Sequence, residues 1–247
     1  VKDNFSRQAG LYARYRPDYP PELIRHLLGA VPGRARAWDC GTGNGQFAAL
    51  LAPHFGEVAA TDISSAQLAH AAQAANIAYS VSPAESAPFP DAHFDLVVAA
   101  QALHWFDFDV FYPEVTRVLK PDGRFAAAGY GRCRLGGGLD PALLKFYTDV
   151  IGPYWDAERR HVDERYRTIP FPFREIPAPE FIAVRRWTIA EFLGYVSTWS
   201  AVQHYIRERG SDPLDLLRDA LAPGWPPSGA LDVQFSFFLR IGAVDGR

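Results

Sequence analysis

The 247-residue sequence contains no methionine and only two cysteines, Cys40 and Cys133. Two thiols are too few for a disulfide framework or a cysteine-based metal cluster. No apolar run approaches the ~20 residues that span a bilayer, and no secretory leader is recognisable. There is no His-Glu-x-x-His pair and no Gly-x-Ser-x-Gly elbow, which sets aside those zinc and serine hydrolases. Excess positive charge is also missing. With 25 Lys and Arg against 28 Asp and Glu, the net charge is −3, which offers no general attraction to nucleic acid or anionic membranes. These absences predict a cytoplasmic protein with free thiols and no metal, nucleic-acid or membrane partner.

What is present fits an ordinary globular chain: 48% hydrophobic and 21% charged residues suffice for one α/β domain with a sizeable core. Aromatic residues reach 14%, and many fall outside the segments expected to form the sheet. No internal repeat or low-complexity tract occurs.

The organising stretch is Ala37-Trp38-Asp39-Cys40-Gly41-Thr42-Gly43-Asn44-Gly45. Ala37 and Trp38 read as the end of a buried strand, and Phe47, Leu50 and Leu51 recur at helical spacing. The glycines between them form a strand-to-helix turn, where doubly wound sheets hold nucleotide-like ligands. Gly-x-Gly-x-Gly differs from the dinucleotide fingerprint, and no Lys follows Gly45 as a phosphate loop would require. Asp39 adds an acceptor at the mouth of the strand. A second strand over 57–61 ends at Asp62, about 20 residues beyond the turn, where a carboxylate accepts ribose hydroxyls. The alternative role of Asp62 is to cap a helix starting near Ser64. Ile77–Val81 and the apolar run Phe94–Ala100 read as further strands, the latter buried on both faces. A helix capped by Asp107, a turn at 120–123 and a strand over 123–130 follow.

Asp39-x-Gly41-x-Gly43-x-Gly45, followed in order by Asp62, Glu85 and Gln101-Ala102-Leu103-His104-Trp105, resembles the motif series of class I S-adenosylmethionine-dependent methyltransferases. The resemblance covers roughly the first half of the chain. It implies a Rossmann-like, seven-stranded α/β sheet with helices on both faces, and S-adenosyl-L-methionine as cofactor. It places Asp39, Gly41, Thr42, Gly43, Gly45, Asp62, Ile63, Ala84, Glu85 and Gln101 around that cofactor, with Glu85 accepting from the adenine amino group. The Gln101–Trp105 element would face the transferable methyl. Tyr12-x-x-x-Arg16-Pro-x-Tyr19-Pro, together with the later Tyr195-x-x-Thr198-Trp199-Ser200, is most similar to the trans-aconitate methyltransferase-related (type 11) group, whose members methylate carboxylates of small acids. The N-terminal segment of such enzymes commonly folds over the active site.

The chain is therefore expected to be a single domain over 1–247. Its expected parts are an N-terminal lid and helices at 1–30, a cofactor core at 31–135, a helical cap with late strands at 136–230, and a closing strand at 231–247. His104 is the candidate base, because an unperturbed imidazole titrates near neutrality; packing at the strand end is its alternative role. Tyr12, Arg16, Tyr19, His104, Trp105 and Trp199 are the expected acceptor-side residues. Arg174, Arg185 and Arg186 are further cations, expected at the surface. The predicted activity is methyl transfer to a small molecule, with O-methylation of a carboxylate as its finer form, by a monomer or homodimer. Alternatives are carbon or phenol methylation of an apolar aromatic acceptor, a catalytically silent cofactor-binding module, and a nicotinamide oxidoreductase that the glycine spacing disfavours.

Overall fold

Phe94–Ala100, here β4, carries only one charged residue, and six of its seven residues are buried. A strand so apolar must be covered on both faces. In the computed structural model, which describes residues 15–226 and 229–244, this is what surrounds it. Leu96 and Val98 point into a cluster with Phe47, Leu51, Leu23 and Leu27. Val97 and Ala99 point the opposite way, to Trp38, Phe111, Val115 and Phe125. Each such side chain contributes on the order of 1.5–3 kcal/mol when fully buried.

The remaining strands are β1 (Arg36–Cys40), β2 (Glu57–Asp62), β3 (Ile77–Val81), β5 (Leu119–Tyr130), β6 (Arg174–Ile176), β7 (Phe181–Thr188) and β8 (Ala230–Ala243). They form one sheet in the order β3-β2-β1-β4-β5-β8-β6, with β7 also paired to β8. β3 to β5 are mutually parallel, and β8 is antiparallel to β5. β6 pairs with 241–243 of β8 and β7 with 230–237, so two short segments share the work of one edge strand. The expected seven-stranded sheet thus has eight strands among the described residues.

Helices α1 (Pro21–Ala30), α2 (Gln46–Leu51), α3 (Ser65–Leu68) and α4 (Phe108–Val118) accompany the parallel half. Asp107 caps α4 by accepting from the Asp109 amide. Ser64, not Asp62, caps α3, accepting from Gln67. β5 starts four residues before its expected position, because 119–123 rejoins β4 across a register shift between Phe94 and Leu96.

The second half supplies the cap: α5 (Asp140–Lys145), α6 (Arg159–Asp163), α7 (Ile189–Ser197), α8 (Ser200–Arg209) and α9 (Leu214–Leu221). The helical stretch that opens the cap is broken into α5, a wider π-type turn at Phe146–Val150 and a tight turn at Gly152–Tyr154. Pro153 lacks the N–H that an uninterrupted helix would need. Leu143, Phe146, Phe192, Val196, Leu217 and Leu221 bury together with the α1 face of the sheet, so cap and sheet share a core. α7 opens on a capping box in which Thr188 and Glu191 satisfy each other's backbone amides, worth about 1 kcal/mol by its threonine alone.

Candidate active site

The turn after β1 is held from below. The Thr42 amide donates to Thr61 O, and its hydroxyl donates to Asp39 Oδ2 at 2.6 Å. Gly43 and Gly45 have φ of +56° and +74°, conformations that glycine adopts without steric cost. The Gly43 amide donates to Asp62 Oδ2 at 2.8 Å, and the Ser64 amide to Asp62 Oδ1 at 2.9 Å. Asp62 therefore ties the glycine turn to the β2–α3 loop, a structural duty additional to the one expected of it.

Asp39 is fully buried, and its Oδ1 makes no hydrogen bond among the described residues. Burial chiefly pushes its carboxyl up to about 7, with Thr42 opposing and Asp62 adding to the rise. It lies beneath the turn, outside the pocket wall.

Above the turn is a pocket lined by Gly41, Thr42, Gly43, Asp62, Ile63 and Ala84, closed by Gln101, Trp105, Phe106, Tyr19 and Tyr130. A Cβ built on Gly43 would meet nothing nearer than Gln67 Oε1 at 3.9 Å, so the backbone there faces open space. Gly41 and Gly45 differ: a Cβ on Gly41 would come within 2.7 Å of Ala102 Cβ, and one on Gly45 would collide with the Tyr79 hydroxyl. An open glycine face, a carboxylate at its edge and an apolar far wall suit a ligand with hydroxyls, an amino group and a flat ring. The same carboxylate, Asp62, would repel a phosphate chain.

Glu85 stands apart from the pocket wall. Its Oε1 accepts from the Asp107 amide at 3.1 Å, an anion at the start of α4 that suits the helix dipole.

Gln101 is one of few non-glycine residues with positive φ, at 55°. Its Oε1 accepts from the Tyr130 amide and its Nε2 donates to Tyr130 O, at 2.9 and 3.1 Å. This pairing continues the β4–β5 ladder by a side chain and locks the strained residue at the pocket mouth.

Gln101 and Trp105 also line a second, adjoining chamber with Arg16, His104, Trp155, Arg159, Trp199 and Ser200. His104 is buried, with Nδ1 2.9 Å from the Tyr166 hydroxyl. Its pKa falls well below the ordinary value, by burial first and then by Arg159, His161 and Arg16. Its ring is therefore neutral near pH 7. Arg16 Nη1 donates to the Tyr130 hydroxyl and Nη2 to Thr198 O, at 3.0 and 3.1 Å, which pins the N-terminal segment between sheet and cap.

Of the residues expected on the acceptor side, Arg16, His104, Trp105 and Trp199 meet in this chamber. Tyr19 instead lines the cofactor pocket, packed edge-on against Phe47 at 4.9 Å. Tyr12 lies outside the described residues. Arg185 pairs with Asp18 and Arg186 with Asp232, and Arg174 sits on edge segment β6, so none of these arginines lines either pocket. Arg159 and Trp155 were not among the expected residues. Their spacing of four is a helical signal too short to single out, and the cap alone brings them to His104.

No group of three or more metal-ligating side chains occurs among the described residues. Nor is any described helix long and apolar enough to cross a membrane.

Residues 38–127 match the methyltransferase domain family. A solved chain from Anaeromyxobacter dehalogenans, described as a type II methyltransferase, superposes with a TM-score of 0.86 at 40% identity, covering 94% of this chain and 100% of that one. A Saccharomyces cerevisiae protein named as the S-adenosylmethionine-dependent methyltransferase CRG1 is 30% identical across 85% of this chain and 84% of its own. A Dictyostelium discoideum protein named as a methyltransferase is 29% identical across 96% and 93%. The chain belongs to the class I S-adenosylmethionine-dependent methyltransferases. It is an enzyme of that class, with S-adenosyl-L-methionine as cofactor.

Proposed function

We propose that this methyltransferase acts on a small carboxylic acid and methylates a carboxylate oxygen. The observation that carries the reading is the seam: the cofactor pocket and a chamber holding two arginines share Gln101 and Trp105. A methyl donor on one side would meet an anionic acceptor on the other at those two residues.

Asp62, at the pocket edge beside the Gly43 and Ser64 amides, is proposed to accept ribose hydroxyls. Ala84 and Phe106 would face the adenine, and the Gly41–Gly45 backbone would pass against the methionine part. The cofactor supplies an electrophilic methyl on a sulfonium. A carboxylate is already ionised at neutral pH, so no residue needs to remove a proton. The chain's task is then proximity and alignment, which can be worth ~7–11 kcal/mol in favourable cases. Arg16 and Arg159 raise the potential of the chamber, Trp105 and Trp199 wall it off from water, and neutral His104 offers one hydrogen bond for orientation rather than a base. Glu85 is assigned here to holding α4, its adenine contact being left to backbone groups.

We further infer one domain whose cap completes the acceptor chamber, in a cytoplasmic monomer or homodimer without a nucleic-acid partner. Both thiols are free and buried. A second reading, methylation of a phenol or ring carbon, is favoured by the three tryptophans of the chamber. Incubation with methyl-labelled cofactor and a panel of acids and phenols separates the two. Label released by mild alkali as methanol marks an ester. Label that survives alkali on a phenol or ring carbon would replace the first reading by the second.

A further inference from the structure

β7 is an edge strand: among the described residues it pairs with β8 on one side and with no strand on the other. Its residues alternate. Phe181 is buried and Ala183, Arg185 and Trp187 are half-buried, whereas Ile182, Val184, Arg186 and Thr188 are exposed. Six large apolar side chains are exposed among the described residues, and only Ile182 and Val184, at 47% and 54%, share a face of one element. An open strand edge with β-branched side chains along it is a template for another strand.

The charges beside this pair select which strand fits. Arg186 lies two residues beyond Val184, and Glu180 two residues before Ile182. The Glu180 carboxyl is held below the usual range by the Ser236 hydroxyl and then by Arg165. Ser236 stands opposite Ile182 on β8, which puts Glu180 on the same face as the apolar pair. Glu180 and Arg186 keep 41% and 68% of their side chains exposed, and the ion pairs they make within the chain are of the exposed, weak kind. A second β7, laid antiparallel about a two-fold axis through Ala183, sets Ile182 against Val184 and Glu180 against Arg186, each twice. Cross-strand pairs of both kinds are stabilising. Moving the axis to Ile182 or Val184 would instead oppose an apolar side chain to Glu180 or Arg186. We propose that β7 is a homodimer interface, across which two copies of this chain join their sheets edge to edge about a two-fold axis at Ala183. The seam is short beside the ~1,200–2,000 Å² that stable interfaces bury, so the dimer is weak and depends on concentration. This selects the homodimer from the reading above and leaves the chemistry of each chain as it stands.

Sedimentation velocity on the intact protein, from low to high micromolar concentration, should show one chain giving way to two. Arg186→Glu opposes carboxylates at both ends of the seam, and Glu180→Arg opposes guanidinium groups. Each alone should raise the dimer dissociation constant roughly 10-fold or more. An equimolar mixture of the two variants has opposite charges at both positions, and it should form a heterodimer about as readily as the wild type forms its dimer. Ala183→Cys places two thiols across the axis at the ~4.5–5.5 Å Cα separation of opposed antiparallel residues, within disulfide reach. It should cross-link under mild oxidation while Val184→Cys does not; the native Cys40 and Cys133 are buried. This pair decides the matter if a charge variant does not fold. A wild type that stays monomeric over the range, a dimer unmoved by either charge reversal, a mixture no better than its components, or equal cross-linking at 183 and 184 overturns the proposal. No cofactor or acceptor enters these measurements, so their failure would leave the methyl-transfer reading untouched.

Discussion

The Tyr166 hydroxyl lies 2.9 Å from His104 Nδ1, and both side chains are buried at the back of the acceptor chamber. Tyr166 is itself held in a left-handed conformation, φ 60°, with its carbonyl accepting from Arg240 Nη1 at 2.7 Å. Two residues distant in sequence, Tyr166 and Arg240, thus fix one imidazole in position. A ring kept neutral by burial and by Arg159 is an orienting group rather than a proton acceptor. His104→Gln should accordingly lower the turnover number by about tenfold or less, against the 10²–10⁴ typical of a lost general base. The pH–rate profile should show no limb near 6.5 that the variant removes.

The same residue has a pH signature in stability. Its folded-state pKa is depressed, so the unfolded chain binds the proton first as pH falls below the unfolded value of about 6.5. Stability is full above that pH and declines below it, towards the folded pKa. Melting temperature measured from pH 7.5 to 5 should fall less in His104→Gln than in the wild type. Equal slopes would mean that the ring is already protonated in the fold.

Asp39 should show the opposite sign. Its folded pKa of about 7 stands above the ordinary aspartate value of 3.8, so the folded state holds the proton more tightly. Stability is lost as pH rises from about 4 to 7, and the whole penalty applies above that range. Asp39→Asn keeps the shape and removes the charge. Without ligand it should melt higher than the wild type at pH 8, on the order of a few kcal/mol at most, and about equally at pH 4. Chemical denaturation at the two pH values measures the difference; a variant less stable at pH 8 would show that the carboxylate is already compensated.

The cofactor half was legible because its signals are local. Gly41 to Gly45 are adjacent in the chain, Asp62 ends the next strand, and the apolar run at 94–100 can only be a central strand. Those elements appear within a residue or two of their expected limits. The exceptions have physical reasons. Lys120 to Gly123 reads as a turn but extends β5, because a register shift against β4 absorbs it. Glu85 reads as a ring-binding acid, and in the fold it also accepts from the amide of Asp107, the residue that caps α4. Of the residues that line the second chamber, Arg16, His104 and Trp199 stand in motifs that the sequence displays, whereas Arg159 lies on a five-residue helix too short for periodicity. Only the folding of the cap over β4 gives it meaning.

The glycine turn makes a graded prediction. Gly43 faces open space while Gly45 backs onto Tyr79. Gly43→Ala should cost only about 1–2 kcal/mol of stability for its left-handed backbone, yet weaken S-adenosylhomocysteine binding at least 100-fold by filling the cradle. Gly45→Ala must also displace the Tyr79 hydroxyl, which donates to Ala72 O at 2.5 Å, and should be the less stable protein. Calorimetry and thermal melts on the pair check both halves. Normal ligand affinity in Gly43→Ala would show that the cofactor does not pass against that face.

The N-terminal segment can be tested without deleting it. Tyr15 lies against α7 at Gly194, where a built Cβ would come within 2.6–2.8 Å of three ring atoms. Gly194 sits in the interior of a helix, where alanine is intrinsically better by about 1 kcal/mol. Gly194→Ala therefore offsets lost packing with gained helix propensity, and its global stability should change little. Locally it must push the Tyr15 ring away, and Arg16, the next residue, is what bridges Tyr130 and Thr198 across the chamber. If that bridge gates the acceptor, the variant should bind S-adenosylhomocysteine within a few-fold of the wild type while its Michaelis constant for the acceptor rises several-fold. Gly194→Ser, with a bulkier side chain at the same contact, should behave alike or worse. Unchanged kinetics in both variants, with melting temperature preserved, would reduce Tyr15 to packing.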